Sequence, residues 1–240
     1  MNRRHRDERT NPCRRELDGL LLISGALGMF DREIVIESGG YSTNTVGEDM
    51  ELEVRIRRYM TEKGLDYDVV YIPDPLCWTE VPSTVKVLAR QRSRWTRGTM
   101  ETLVKHRKLF FNRRYGKLGI LGYPYWLAFE YLAPIVEFLG ICWFTFLVIT
   151  GRLNWPFFLL LLGFVYFFAV SLSIWSVLFE EITFHKYEKR RDVLRLVGTA
   201  FLEPLFYHPM VMLMTIKGNI DKIFNRNKWG KMERKGFGKN

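Results

Sequence analysis

The chain has 240 residues with 36 Lys and Arg against 26 Asp and Glu, a formal charge of +10 at pH 7; 48% of it is hydrophobic and 15% aromatic. Length alone allows one large domain or two small ones. Cys13, Cys77 and Cys142 lie far apart and in no Cys-x-x-Cys pair, which suggests neither a disulfide framework nor a zinc site and suits a reducing cytoplasmic face.

Residues 1–17 are polar. The apolar run GLLLISGALGMF at 19–30 is preceded by four acids, Asp7, Glu8, Glu16 and Asp18, and no small-x-small site closes it, so it is not read as a secretory signal. Residues 20–23 read as a short buried strand, and Gly39-Gly40 mark a turn. Asp49 opens a helix over roughly 50–63, which Gly64 closes as C-cap. YDVVYI at 67–72 alternates like a half-buried strand and is ended by Pro-Asp-Pro at 73–75. LCWTEV follows as a second extended piece, and Ser83 or Thr84 is the N-cap of the next helix. That helix holds ARQRSRWTRG at 89–98, where Gln91, Arg94, Trp95 and Gly98 fall at i, i+3, i+4 and i+7 and share one face. Strand, helix, strand, helix predicts part of an α/β layer structure.

Residues 86–117 hold eleven Lys or Arg against the single acid Glu101, which accounts for the whole charge excess. The block abuts the first of three apolar stretches, so the positive-inside tendency puts it on the cytoplasmic side, where anionic lipid attracts it. With spans present, lipid is favoured over nucleic acid as its partner.

Residues 156–179 contain no charged side chain, and as a helix they would reach about 36 Å. A bilayer core is about 30 Å thick. The stretch 118–150 is interrupted by Glu130 and Glu137, and 193–216 by Arg195 and Glu203. Tyr123, Tyr125 and Trp126 resemble an interfacial belt, and Pro124 and Pro134 predict an interface helix that breaks before a span near 135–150. Glu130 and Glu137, seven apart, either line a polar path or, for Glu130, lie at the headgroup level. A third full span would leave a tail with eight Lys or Arg outside, so Pro204 and Pro209 are expected to split that stretch into a re-entrant or interfacial pair.

Two groups of residues have chemistry to offer. Glu48 and Asp49 behind Gly47 are either helix-capping acids or, if a substrate hydroxyl reaches them, a general base with a companion carboxylate. The face with Gln91, Arg94 and Trp95 offers a diphosphate clamp, an amide and a flat apolar platform, or else is a solvated basic helix whose Trp anchors at the membrane.

SGALGMFDRE (24–33), GGY (39–41), GED (47–49) and QRSRW (91–95), in that order and followed by membrane helices, resemble the C-terminal half of the processive family 2 glycosyltransferases. These are the synthases of cellulose, chitin, hyaluronan and poly-N-acetylglucosamine type. The resemblance runs from about Leu22 to WGKMERKG at 229–236. It implies Asp49 as the catalytic base and Glu48 as its partner acid. Ser24, Gly25 and Ala26 would line the acceptor end, Arg94 hold the leaving diphosphate and Trp95 support the acceptor sugar. Gln91 and Arg92 complete the implied substrate-binding set. The implied partners are a UDP-linked nucleotide sugar, a polysaccharide or lipid-linked acceptor and membrane lipids, with no nucleic acid.

The expected fold class is α/β (partial GT-A-like) followed by an α-helical multi-pass membrane region. Its parts are a polar segment 1–17, a partial GT-A domain on the acceptor side at 18–117, a membrane region 118–217 and a basic tail 218–240. The expected location is the cell membrane, with the catalytic region cytoplasmic. The family's nucleotide-binding half, with an Asp-x-Asp that ligates Mg²⁺ or Mn²⁺, has no counterpart here; Asp66-Tyr67-Asp68 lies downstream of GED and is not read as that motif. The chain is therefore expected to be inert alone, completed by a separate donor-binding polypeptide or clipped from a longer one. The alternative is a non-enzymatic membrane subunit that associates with a synthase.

Overall fold

The computed structural model describes residues 27–69, 77, 79–184 and 190–224. The helices are α1 (Arg32–Glu37), α2 (Glu48–Lys63), α3 (Val85–Lys105), α4 (Leu118–Ile149), α5 (Trp155–Phe184) and α6 (Arg190–Ile223). Single 3₁₀ turns at Arg107–Leu109 and Arg113–Tyr115 join α3 to α4.

The α/β (partial GT-A-like) expectation is overturned, because the described residues contain no strand or sheet. Residues 65–69 have no regular structure, and the rest of the expected strand at 67–72, like the one at 20–23, lies outside the described residues. Alternation supplies a face, but a strand exists only where a second strand takes up its N–H and C=O groups.

The helices of the first hundred residues are locally determined. Three acids, Glu48, Asp49 and Glu51, occupy the first turn of α2, where the helix dipole favours them. At its other end Gly64, in the left-handed region, lets Leu65 N–H reach Met60 O at 2.9 Å. Thr84 caps α3 by accepting from Val87 N–H at 3.3 Å.

The chain divides into two compact units, Met1–Ala133 with Gly218–Asn240, and Pro134–Lys217. The core of the first is Val54, Leu103, Leu109, Tyr115, Leu118 and Tyr123, with Trp126, Leu127 and Tyr131 packed against it. Tyr123 hydroxyl donates to Leu103 O at 2.6 Å, which ties the start of α4 to the end of α3.

In the second unit Tyr166 hydroxyl donates to Phe201 O at 3.0 Å and His208 Nε2 meets Glu137 Oε2 at 3.0 Å. Phe157, Leu160, Phe164, Phe167, Trp175 and Phe179 of α5 point outward. Exposed apolar surface on that scale suits lipid rather than water. Three helices, α4, α5 and α6, are long and apolar enough to cross a membrane.

The expected breaks at proline do not occur. Pro124 and Pro134 lie in a helix that runs unbroken from 118 to 149, with π turns at Leu118–Gly122 and Trp126–Leu132. Pro204 lies in a π turn, Glu203–Tyr207, within the continuous α6. Proline removes one i→i−4 bond and crowds the preceding turn; widening that turn accommodates the ring without ending the helix.

Candidate active site

The two chemical motifs meet through glycine. A Cβ built on Gly98 of α3 would lie 2.9 Å from the Cα of Gly47, and one built on Gly47 would lie 2.9 Å from the Cα of Gly98. Only hydrogen at both positions permits this backbone contact. Gly47 immediately precedes Glu48 and Asp49, while Arg94 lies about one helical turn, roughly 5.4 Å, from Gly98 on the same face.

Glu101 locks the approach to this contact. Its Oε2 accepts from the Thr45 hydroxyl at 2.8 Å and from Val46 N–H at 3.0 Å, and Thr45 Oγ1 in turn accepts from Gly47 N–H at 3.2 Å. Its Oε1 accepts from Lys222 Nζ at 2.5 Å. Burial would push the Glu101 carboxyl up, but Lys222, the Val46 N–H and the Thr45 hydroxyl outweigh it and hold the group below its ordinary value. A Cβ on Gly218 would meet Ser93 Cα at 2.9 Å, so the end of α6 also lies directly on α3.

A second carboxylate anchors α2 from inside. Glu51, two residues after Asp49, is fully buried; its Oε1 pairs with Lys105 Nζ at 2.6 Å, Arg55 Nε at 3.1 Å and His106 Nε2 at 3.2 Å. Burial alone would raise this carboxyl; hydrogen bonds from His106 and Lys105 and the charges of Arg55 and Lys105 overcome it and lower it to about 2. Arg55 extends the network to the preceding loop, donating to Ser38 O at 2.6 Å and to Gly40 O. Gly39 and Gly40, at φ +101 and +68, make the turn that presents those carbonyls, and a Cβ on Gly39 would lie 2.9 Å from Arg55 Nη1. This gives the GGY motif a structural reason.

Of the predicted site residues, Asp49 is exposed and its Oδ1 accepts from Met50 N–H at 2.8 Å, leaving the carboxylate open to solvent; Glu48 beside it is half-buried. Gln91, Arg92 and Arg94 are half-buried on α3. Arg94 Nε is buried with no hydrogen-bond partner among the described residues, a donor with capacity to spare. Trp95 is 49% exposed, and the Arg92 guanidinium lies 4.9 Å from its ring centroid. One face of the ring is thus covered by a cation, which leaves the opposite face for a sugar. Ser24, Gly25 and Ala26 lie outside the described residues, as do Cys13 and the 229–236 motif.

No group of three His, Cys, Asp or Glu side chains able to hold a metal occurs among the described residues. The Mg²⁺ or Mn²⁺ expected of a whole enzyme therefore finds no ligand set in them. A cavity of about 390 Å³ in the second unit, lined by Ser173, Thr199, Glu203 and Tyr207 among others, contains none of the predicted site residues.

Sequence reasoning missed Glu51, Arg55 and the role of Glu101. Two signals were present: the i, i+4 spacing of Glu51 and Arg55 on one helix face, and the isolation of one acid within a basic helix.

Comparisons with known proteins bear on this arrangement. A family model described as glycosyl transferase family group 2 matches residues 5–172. A poly-beta-1,6-N-acetyl-D-glucosamine synthase of Staphylococcus epidermidis is 29% identical over 213 residues, 87% of this chain and 48% of its own length. A probable glycosyltransferase YdaM of Bacillus subtilis (strain 168) is 34% identical over 80 residues, 33% of this chain and 18% of its own. A synthase of the first kind from Staphylococcus aureus (strain COL) is 31% identical over 83 residues, 35% of this chain and 19% of its own. The chain spans about half the length of the Staphylococcus epidermidis relative. No solved structure matches.

Proposed function

The chain belongs to glycosyl transferase family group 2, and on that premise we propose that it supplies the catalytic base and acceptor side of a membrane-embedded inverting glycosyltransferase. The enzyme extends a polysaccharide or glycolipid from a nucleotide sugar at the cytoplasmic face of the cell membrane. The observation that carries this reading is the contact of Gly47 with Gly98, which sets the acidic pair beside the helix face of Arg94 and Trp95.

Asp49 takes the proton of the acceptor hydroxyl as that oxygen bonds to the anomeric carbon from the side opposite the leaving group. The bond from that carbon to the diphosphate oxygen breaks, its electron pair leaves with the nucleoside diphosphate, and the anomeric centre inverts. Glu48 is the companion acid. Arg94 donates to the departing diphosphate through a fork suited to two oxygens, and Gln91 and Arg92 line the same face. Trp95 carries the acceptor sugar, and Ser24, Gly25 and Ala26 line its far end. A UDP-linked N-acetylhexosamine is the proposed donor, supported by the printed name of the Staphylococcus epidermidis relative.

Membranes from cells that express this chain together with a donor-binding half of the family, supplied with a panel of labelled nucleotide sugars, test this reading. Label is expected to enter polymer or glycolipid from UDP-N-acetylglucosamine; no incorporation from any donor would refute it. In the same membranes Arg94→Ala weakens UDP binding by about tenfold to a hundredfold, the range for a lost charge-assisted bond of about 1.5–3 kcal/mol. Trp95→Ala has the smaller effect on UDP and the larger one on acceptor use. The opposite ranking would mean that clamp and platform are exchanged.

A further inference from the structure

Between α3 and α4 the chain makes a turn that the proposed chemistry leaves unused. Asn112 N–H donates to Leu109 O at 3.1 Å, Phe110 sits at φ −58 and ψ 116, and Phe111 at φ +49. The angles of Phe110, the positive φ of Phe111 and the closing hydrogen bond match a type II β-turn, whose second corner ordinarily takes glycine. Phe111 is the only non-glycine residue with positive φ among those described, and its Cβ crowds the backbone there. The base of the Phe110 ring rests on the core through Tyr123, at 5.9 Å between ring centroids, while much of both phenylalanine rings stays outside. Phe110 is 47% exposed and Phe111 63% exposed, with their ring centroids 4.6 Å apart.

The turn is nevertheless firmly seated. Leu109 before the pair and Tyr115 and Leu118 after it are buried in the core. A Cβ on Gly119 would lie 2.4 Å from Asn112 O, so the first turn of α4 rests on the back of the aromatic corner. The Asn112 side chain accepts from Arg114 N–H at 3.0 Å and donates to Lys108 O at 3.2 Å. Two rings therefore project from a fixed base. Around them Arg107, Lys108, Arg113, Arg114 and Lys117 are all exposed.

An aromatic pair held outward among cations matches the headgroup region of an anionic leaflet, where rings enter the acyl boundary and cations meet lipid phosphate. Continuity selects lipid over other anionic partners, since Phe111 precedes by seven residues the start of a helix apolar enough to span a bilayer. We propose that Phe110 and Phe111 form a wedge inserted in the interface of the membrane, flanked by cations bound to anionic headgroups, and that this wedge sets the height of α3 and its site residues over the bilayer.

The inference rests on reading α4 as a membrane span, and one experiment separates the two. The whole chain, with Cys13→Ser and Cys77→Ser, is reconstituted in vesicles containing phosphatidylglycerol. A nitroxide is attached at native Cys142 within α4, or, with Cys142→Ser added, at Phe111→Cys or Phe110→Cys. The label at either wedge position is expected about 5–10 Å below the phosphates, relaxed more by oxygen than by a water-soluble nickel chelate. Vesicles of phosphatidylcholine alone should bring it closer to water. A label in hydrocarbon at 142 but in water at both wedge positions overturns the wedge and leaves the span intact. Labels in water at all three overturn the span and the wedge with it. A label at 110 and 111 shielded from both relaxants would mean that protein covers the turn, which also overturns the proposal.

Discussion

With the donor-binding half supplied, Asp49→Asn is expected to abolish sugar incorporation while leaving nucleotide affinity within about threefold of the parent. Asparagine is nearly isosteric and still accepts a hydrogen bond from Met50 N–H, so the turn that begins α2 is preserved. What disappears is the ability to take a proton. A positioned general base contributes on the order of 10²–10⁴ in rate, and the loss should fall on kcat rather than on binding. Initial rates with labelled donor, beside an equilibrium titration with UDP, measure both quantities. Turnover within tenfold of the parent would remove Asp49 from the role of base, and loss of nucleotide affinity would make it a binding residue.

Glu51→Gln should have the largest effect on stability. The carboxylate is the common partner of Lys105, Arg55 and His106 in a fully buried position, so the substitution leaves those donors facing a neutral amide. Removing one side of a buried ion pair costs about 3–5 kcal/mol. For a chain of this size that lowers Tm by roughly 6–20 °C. The pH dependence has a defined sign. The folded-state carboxyl is lowered to about 2 from an ordinary value of 4.5. Its contribution, about 3 kcal/mol, is complete above the ordinary value and is lost as pH falls toward 2. Melting curves of detergent-solubilised protein should therefore differ widely between parent and variant at pH 7 and converge as acid is added. A variant that melts with its parent at pH 7 would show that the cluster adds nothing to the fold.

The helices that carry the candidate site were legible because their ends are local events. Gly64, Thr84 and the acids of the first turn of α2 act on backbone groups within four residues. The motifs GED and QRSRW carried meaning as an ordered set only through their resemblance to a family. The strand expected at 67–72 finds no counterpart in its described residues 67–69, since alternation in YDVVYI specifies a face and says nothing about a partner. Proline misled in α4 and α6, where a π turn absorbs each ring that local reasoning treats as a stop. The buried hubs were hidden by separation. Glu51 meets His106 across 55 positions and Glu101 meets Lys222 across 121, and no spacing rule spans such intervals.

Gly47 and Gly98 were read separately, one as the start of an acidic motif and the other as the last member of a helix face. Their contact joins the two, and Gly98→Ala tests it by the sign of its effect. In an ordinary helix interior this change stabilises by about 1 kcal/mol. Here the added Cβ would lie 2.9 Å from Gly47 Cα, with backbone on both sides and no flexible side chain to yield. A fall in Tm together with loss of sugar incorporation is the predicted result; a rise in Tm with incorporation retained would contradict the account.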